Sequence, residues 1–139
     1  MRYHFIVDTG PLVALLDKSD TWHQWAVAQW SNAEPPLLTC SAVIAESCHL
    51  LQRVHHGKET VLAMISRGVI QVAFDINQES EAVRQLIMKY ASVPMSLADS
   101  CLVRMTEQHP SYQLLTLDSD FLIYRKHGNQ AIPCLRPLG

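Results

Sequence analysis

The 139-residue sequence is 48% hydrophobic and 17% charged, with 13 acids against 11 Lys and Arg and a formal net charge of −2. This composition excludes a disordered tail and suits one domain, residues 1–139, large enough to bury roughly 70% of its unfolded surface. It shows none of the basic excess that usually marks nucleic-acid binding, and apolar runs such as Leu12 to Leu16 are too short to span a bilayer.

His4 to Val7 reads as a short buried strand, broken by Thr9-Gly10-Pro11. Leu12 to Leu16 begins a helix with Pro11 tolerated in its first turn. Asp20 or Thr21 is the expected cap of a second helix carrying Trp22, Trp25 and Trp30, which ends before Pro35-Pro36. Leu37 to Thr39 is a short strand, and Ser41 to Val54 a strong helix stopped by His56-Gly57. Glu59 to Ser66 is another helix, Val69 to Phe74 a strand, and Asn77 the expected cap of a helix to Tyr90. Ser96 caps a helix to Gln108; Gln113 to Leu117 is a strand, Asp120 to Lys126 a short helix, and Ala131 to Leu135 a final strand. Strands separated by helices imply a parallel sheet covered on both faces. Ligands of such sheets collect beyond the carboxyl ends of the strands, where Asp8 and Asp118 would stand.

Met1-Arg2-Tyr3-His4 leads into only three apolar residues before Asp8, so no signal-peptide core is expected and the chain reads as cytoplasmic. The four cysteines (Cys40, Cys48, Cys101, Cys134) lack metal-ligand spacing and read as reduced core residues. Two basic clusters, Arg53-His55-His56-Lys58 and Arg125-Lys126-Arg136, are either solvated surface or a rim that meets a polyanion. Trp22, Trp25 and Trp30 suit core packing, with a partner or dimer face as the alternative.

Five carboxylates carry the chemistry: Asp8, Glu46, Asp99, Asp118 and Asp120. A charge beside the core costs free energy unless it is paired, hydrogen-bonded or ligating a metal, and no Lys or Arg lies within four residues of Asp8, Glu46 or Asp118. Each acid also has a plainer reading. Asp8 before Thr-Gly-Pro suits a turn or a helix cap, Asp118 and Asp120 suit a helix cap, and Asp99 three residues after Ser96 resembles a capping box. Glu46, mid-helix with no basic residue at i+4, could be a solvated face.

Taken together, Ile6-Val7-Asp8-Thr9-Gly10-Pro11, Ser41-Ala42-Val43-Ile44-Ala45-Glu46, Pro94-Met95-Ser96-Leu97-Ala98-Asp99-Ser100 and Leu115-Thr116-Leu117-Asp118-Ser119-Asp120-Phe121 resemble the PIN-domain family, in particular its VapC-type toxin ribonucleases. The resemblance spans nearly the whole chain. It implies an α/β fold, a PIN-like three-layer α/β/α sandwich with a central parallel sheet. It also implies a Mg²⁺- or Mn²⁺-dependent endoribonuclease acting on RNA. For a toxin it further implies a small antitoxin and a homodimer. Carried over by position, the family's acids are Asp8, Glu46, Asp99 and Asp118, with Asp120 as a further acid that many members carry. The expected metal ligands are then Asp8 and Asp99, with Glu46 and Asp118 for a second ion or for holding water. Thr116 either orients a carboxylate or water or packs the strand. Ser96, where relatives often carry an acid, and the single Ser119 between the last two acids depart from the pattern and leave the separate roles of Asp118 and Asp120 open.

The rivals are a housekeeping RNA-processing nuclease and a PIN module that binds RNA without cutting it. A haloacid-dehalogenase-like phosphatase also opens on an acid after an apolar strand, but the second acid it needs two positions on is Gly10 here.

Overall fold

The computed structural model describes residues 2–138. Its elements run β1 (Phe5–Val7), α1 (Thr9–Leu16), α2 (His23–Ser31), β2 (Leu37–Thr39), α3 (Ser41–Leu50), α4 (Gly57–Ser66), β3 (Ile70–Val72), α5 (Ile76–Lys89), α6 (Leu97–Gln108), β4 (Gln113–Leu115), a 3₁₀ turn (Ser119–Leu122), β5 (Arg125–Lys126), β6 (Gln130–Ala131) and β7 (Cys134–Leu135). Five strands form one sheet in the order β3-β2-β1-β4-β7, every neighbouring pair parallel.

Because successive strand residues point to opposite faces, the short apolar strands serve two cores. Ile6, Leu38 and Leu114 face a cluster with Leu102, Val103 and Met105 of α6 and Val83 of α5. Phe5, Val7, Leu37 and Leu115 face the other way, against Trp25 and Trp30 of α2. Leu12 and Val13 of α1 join Leu51, Val61 and Ile70 in a third cluster beside it. Helices therefore cover both faces, and the three-layer α/β/α sandwich expected from the sequence is the fold observed. Among the described residues no helix is long and apolar enough to cross a membrane.

Several boundaries differ from the sequence reading, each for a local reason. The helix expected to reach Val54 ends at Leu50, where bonding tightens to i→i−3 (Gln52 N–H to the His49 carbonyl, Val54 N–H to that of Leu51). Gly57 packs so closely there that a Cβ would lie 2.8 Å from the Leu51 carbonyl oxygen. It opens α4 two residues before the expected Glu59. Asp75, not Asn77, caps α5: its Oδ1 accepts the Asn77 N–H at 2.9 Å. Neither Asp20 nor Thr21 is the residue flanking α2, a place held by Trp22; Asp20 instead accepts the Trp22 N–H at 2.8 Å, one turn earlier. The expected helix Asp120–Lys126 is a single 3₁₀ turn, because the Arg125 N–H goes to the Tyr90 hydroxyl at 2.8 Å rather than back along the chain. Arg125–Lys126 then pairs antiparallel with Gln130–Ala131, so the expected last strand divides into β6 and the sheet-edge β7. Ser96 caps α6 as read, accepting the Asp99 N–H at 3.0 Å.

All four cysteines are free; Cys40 and Cys101 are buried and Cys48 and Cys134 only partly so. Trp25 and Trp30 pack into the core, and the Trp30 indole N–H donates to the Pro11 carbonyl at 3.1 Å. Trp22 stands apart from them on the wall of the cleft described next.

Candidate metal centre

Strand order brings the distant acids together. β1 and β4 are neighbours in the middle of the sheet, with Val7 opposite Leu115, and the Asp8 N–H donates to the Leu115 carbonyl at 3.0 Å. The residues that follow these two strands therefore leave the sheet side by side. Asp8 caps α1, with Oδ1 accepting the Thr9 N–H at 2.7 Å. Thr116, fully buried, donates from Oγ1 to Asp8 Oδ2 at 2.7 Å and accepts the Asp118 N–H at 3.0 Å. One hydroxyl thus links the acid after β1 to the backbone of the acid after β4. Gly10 permits this proximity, since a Cβ there would come within 3.0 Å of Leu117 Cδ1.

Asp118 Oδ1 accepts the Asp120 N–H at 2.9 Å and so caps the 3₁₀ turn. Across from that turn, the first turn of α6 carries Asp99. A ligand oxygen from each of Asp99, Asp118 and Asp120 lies within 4.8 Å of the others. Asp99 Oδ2 also accepts the Tyr124 hydroxyl at 3.0 Å. Sequence reasoning missed Tyr124 altogether. Nothing near it signals a contact with a residue 25 positions earlier, and its segment reads as helix.

Asp8, Asp99 and Asp118 open onto a cleft of about 670 Å³ that is also lined by Glu46 and extends to Asp17, Asp20 and Trp22. Glu46 reaches it as an exposed residue of α3 and stands outside the close trio. The structure thus gathers Asp99, Asp118 and Asp120 tightly, sets Asp8 beside them through Thr116, and leaves Glu46 at the cleft wall. Among the described residues the lining holds six carboxylates and no Lys, Arg or His. Arg125, Lys126 and Arg136 near the chain end do not line this cleft; Arg125 donates to the carbonyls of Leu122 and Tyr124.

The electrostatics register this crowding. Burial pushes the Asp8 carboxyl up to about 6, aided by the charges of Asp99 and Asp118 and opposed by the hydrogen bonds from Thr116 and Thr9. Asp99 is raised for the same first reason, burial; the Tyr124 hydrogen bond opposes it, while Asp118 and Asp120 add to it. Burial also raises the Tyr124 phenol, with the Asp99 charge next to it contributing. Beside Asp8, the buried Thr9 hydroxyl finds no hydrogen-bond partner. An all-oxygen donor set under mutual repulsion fits a hard divalent cation such as Mg²⁺ or Mn²⁺ better than zinc, whose protein sites are usually built with Cys or His ligands.

The sequence matches the PIN domain over residues 5–126. The chain belongs to the PIN-domain family. Among solved structures, the fold is similar to that of Mycobacterium tuberculosis VapC20, described as a sarcin–ricin-loop-cleaving toxin. The TM-score is 0.74 at 21% identity, over 84% of this chain and 91% of that one. No curated protein sequence matches the chain. The matched span contains all five acids, Asp8, Glu46, Asp99, Asp118 and Asp120. The distances show what this PIN domain does with them: three carboxylates in mutual reach, and a fourth buried at their side.

Proposed function

We propose that this PIN domain is a divalent-metal-dependent endoribonuclease, the toxin of a toxin–antitoxin pair, using Mg²⁺ or Mn²⁺. The observation that carries the reading is the convergence of Asp99, Asp118 and Asp120 within 4.8 Å, next to a buried Asp8, at the edge of a cleft whose lining offers no basic counter-charge among the described residues. Such a cleft repels a phosphodiester on its own. A divalent cation held there by Asp8, Asp99 and Asp118 would supply Lewis-acid chemistry, favouring attack of water on phosphorus and offsetting charge on the departing oxygen.

The chain's own residues divide the remaining work. Asp8 and Asp99, with Asp118, would hold the cation, and Asp120 completes the trio. Thr116 fixes the plane of the Asp8 carboxylate, so that it meets a ligand without first reorganising. Glu46, exposed on the cleft wall, suits the orientation of an attacking water or a second cation. RNA as substrate, a small antitoxin that covers the cleft, a homodimer and a cytoplasmic location are what the VapC-type resemblance of the sequence implies for this chain.

The test is cleavage of single-stranded and structured RNA by purified protein, with Mn²⁺ or Mg²⁺ and with chelator. Cleavage should require the metal and fall at least about 100-fold in Asp8→Asn and in Asp99→Asn. RNA bound but never cut under any metal would establish a binding module instead. Growth arrest on expression, relieved by the product of an adjacent gene, separates a toxin from a housekeeping nuclease.

A further inference from the structure

The carboxylate trio is assembled from two parts of the chain. Asp99 stands on α6, while Asp118 and Asp120 stand on the turn after β4. Three like charges at ligand distance repel one another, so the metal-free geometry needs something to hold it. On the β4 side the hold is local: Thr116 accepts the Asp118 N–H, and Asp118 accepts that of Asp120. On the α6 side, Ser96 holds the backbone N–H of Asp99 and bears on its carboxyl less than Tyr124 does. The carboxylate itself is held by Tyr124, whose phenol donates to Oδ2 at 3.0 Å.

Tyr124 is built for that task. Its side chain is fully buried. Phe121 and Tyr90 meet its ring edge-on, with centroids at 5.3 and 5.1 Å. Its backbone N–H donates to the Asp120 carbonyl at 3.1 Å. The same residue therefore contacts both halves of the trio, Asp99 through its hydroxyl and Asp120 through its backbone. The chemistry of the donor matters too. A Lys or Arg in this place would neutralise Asp99 and compete with a cation, whereas a phenol orients the carboxylate and leaves its charge intact.

We infer that Tyr124 is a positioning residue for the cation site: its hydroxyl occupies one side of Asp99 Oδ2 and turns the remaining lone pairs toward Asp118 and Asp120. The inference rests on the reading of the trio as a cation site. Tyr124→Phe keeps the ring and its edge contacts and removes only the hydroxyl. Titration calorimetry with Mn²⁺ alone, without RNA, should show affinity roughly tenfold weaker in this variant, the loss typical of removing a group that orients a metal ligand. Cleavage of RNA should fall at limiting Mn²⁺ and recover at saturating Mn²⁺. Asp75→Ala, which removes the remote cap of α5, is the comparator: it should lower the melting temperature and leave Mn²⁺ affinity unchanged. Tyr124→Phe binding Mn²⁺ within twofold of wild type would overturn the inference alone. So would a cleavage deficit that saturating Mn²⁺ does not repair, because the defect would then lie outside cation affinity. A wild-type chain that binds no Mn²⁺ would overturn both this inference and the metal-dependent reading.

Discussion

Asp8 can hold its charge in the metal-free chain only against burial and against Asp99 and Asp118, all of which favour the protonated form. The folded carboxyl titrates at about 6, whereas an unperturbed one titrates at 3.8. Between those values the folded chain binds more protons than the unfolded chain, so stability falls as pH rises through the window and stays lower above it. Each pKa unit corresponds to 1.36 kcal/mol, giving a penalty on the order of 3 kcal/mol at neutral pH for this 8%-exposed side chain. Asparagine at this position carries no such penalty, though it accepts one hydrogen bond fewer. Asp8→Asn should therefore stabilise the protein in chelator by about 1–2 kcal/mol at pH 7.5, and the gain should vanish near pH 4. Urea unfolding at the two pH values measures this directly. Equal stability of the two chains at pH 7.5 would mean that Asp8 is not under charge stress. The variant would be stabler and yet inactive, as expected where a site is assembled at the expense of the fold.

At the scale of the elements, what was legible depended on how local the cause was. Ser96 as the cap of α6 and Asp8 at the end of β1 follow from neighbours in sequence, and both stand as read. The cap of α5 is a near miss, because Asp75 and Asn77 are both good caps and the choice depends on where the chain leaves β3. The two candidates give different expectations. Asp75→Ala should cost about 1 kcal/mol, measured as a shift in the urea midpoint, whereas Asn77→Ala should change it by a few tenths at most. The 3₁₀ turn and the β5–β6 hairpin were illegible for a different reason. The Tyr90 hydroxyl that takes the Arg125 N–H is 35 residues away, and no periodicity within 120–126 records it. Tyr124 was hidden in the same way: its partner lies on another element, and a lone phenol in an apolar stretch reads as core. The acids themselves were visible as costly charges. What spacing alone could not give was the pairing of β1 with β4 that makes Asp8 and Asp118 neighbours.

For the whole molecule, a cation bound at the cleft would be a tertiary bond joining α1, α6 and the turn after β4, three segments that the unfolded chain leaves far apart. Anything that binds only the folded state stabilises it by mass action, by about 2.7 kcal/mol at 100 times its Kd. For a chain of this length, that is a rise in melting temperature on the order of 10 °C. Protons compete for the same oxygens, and Asp8 holds its proton up to about 6, so the rise should be full at pH 7.5 and small at pH 4.5. Thermal melts with Mn²⁺ and with chelator at both pH values test this without any RNA. Asp99→Asn and Asp8→Asn should each lose most of the rise at pH 7.5, while Asp75→Ala, starting from a lower melting temperature, should keep all of it. If Mn²⁺ raised every variant equally, the ion would be binding elsewhere on this acidic surface. The convergence of carboxylates in the cleft would then be a cost of the fold with no cation to offset it.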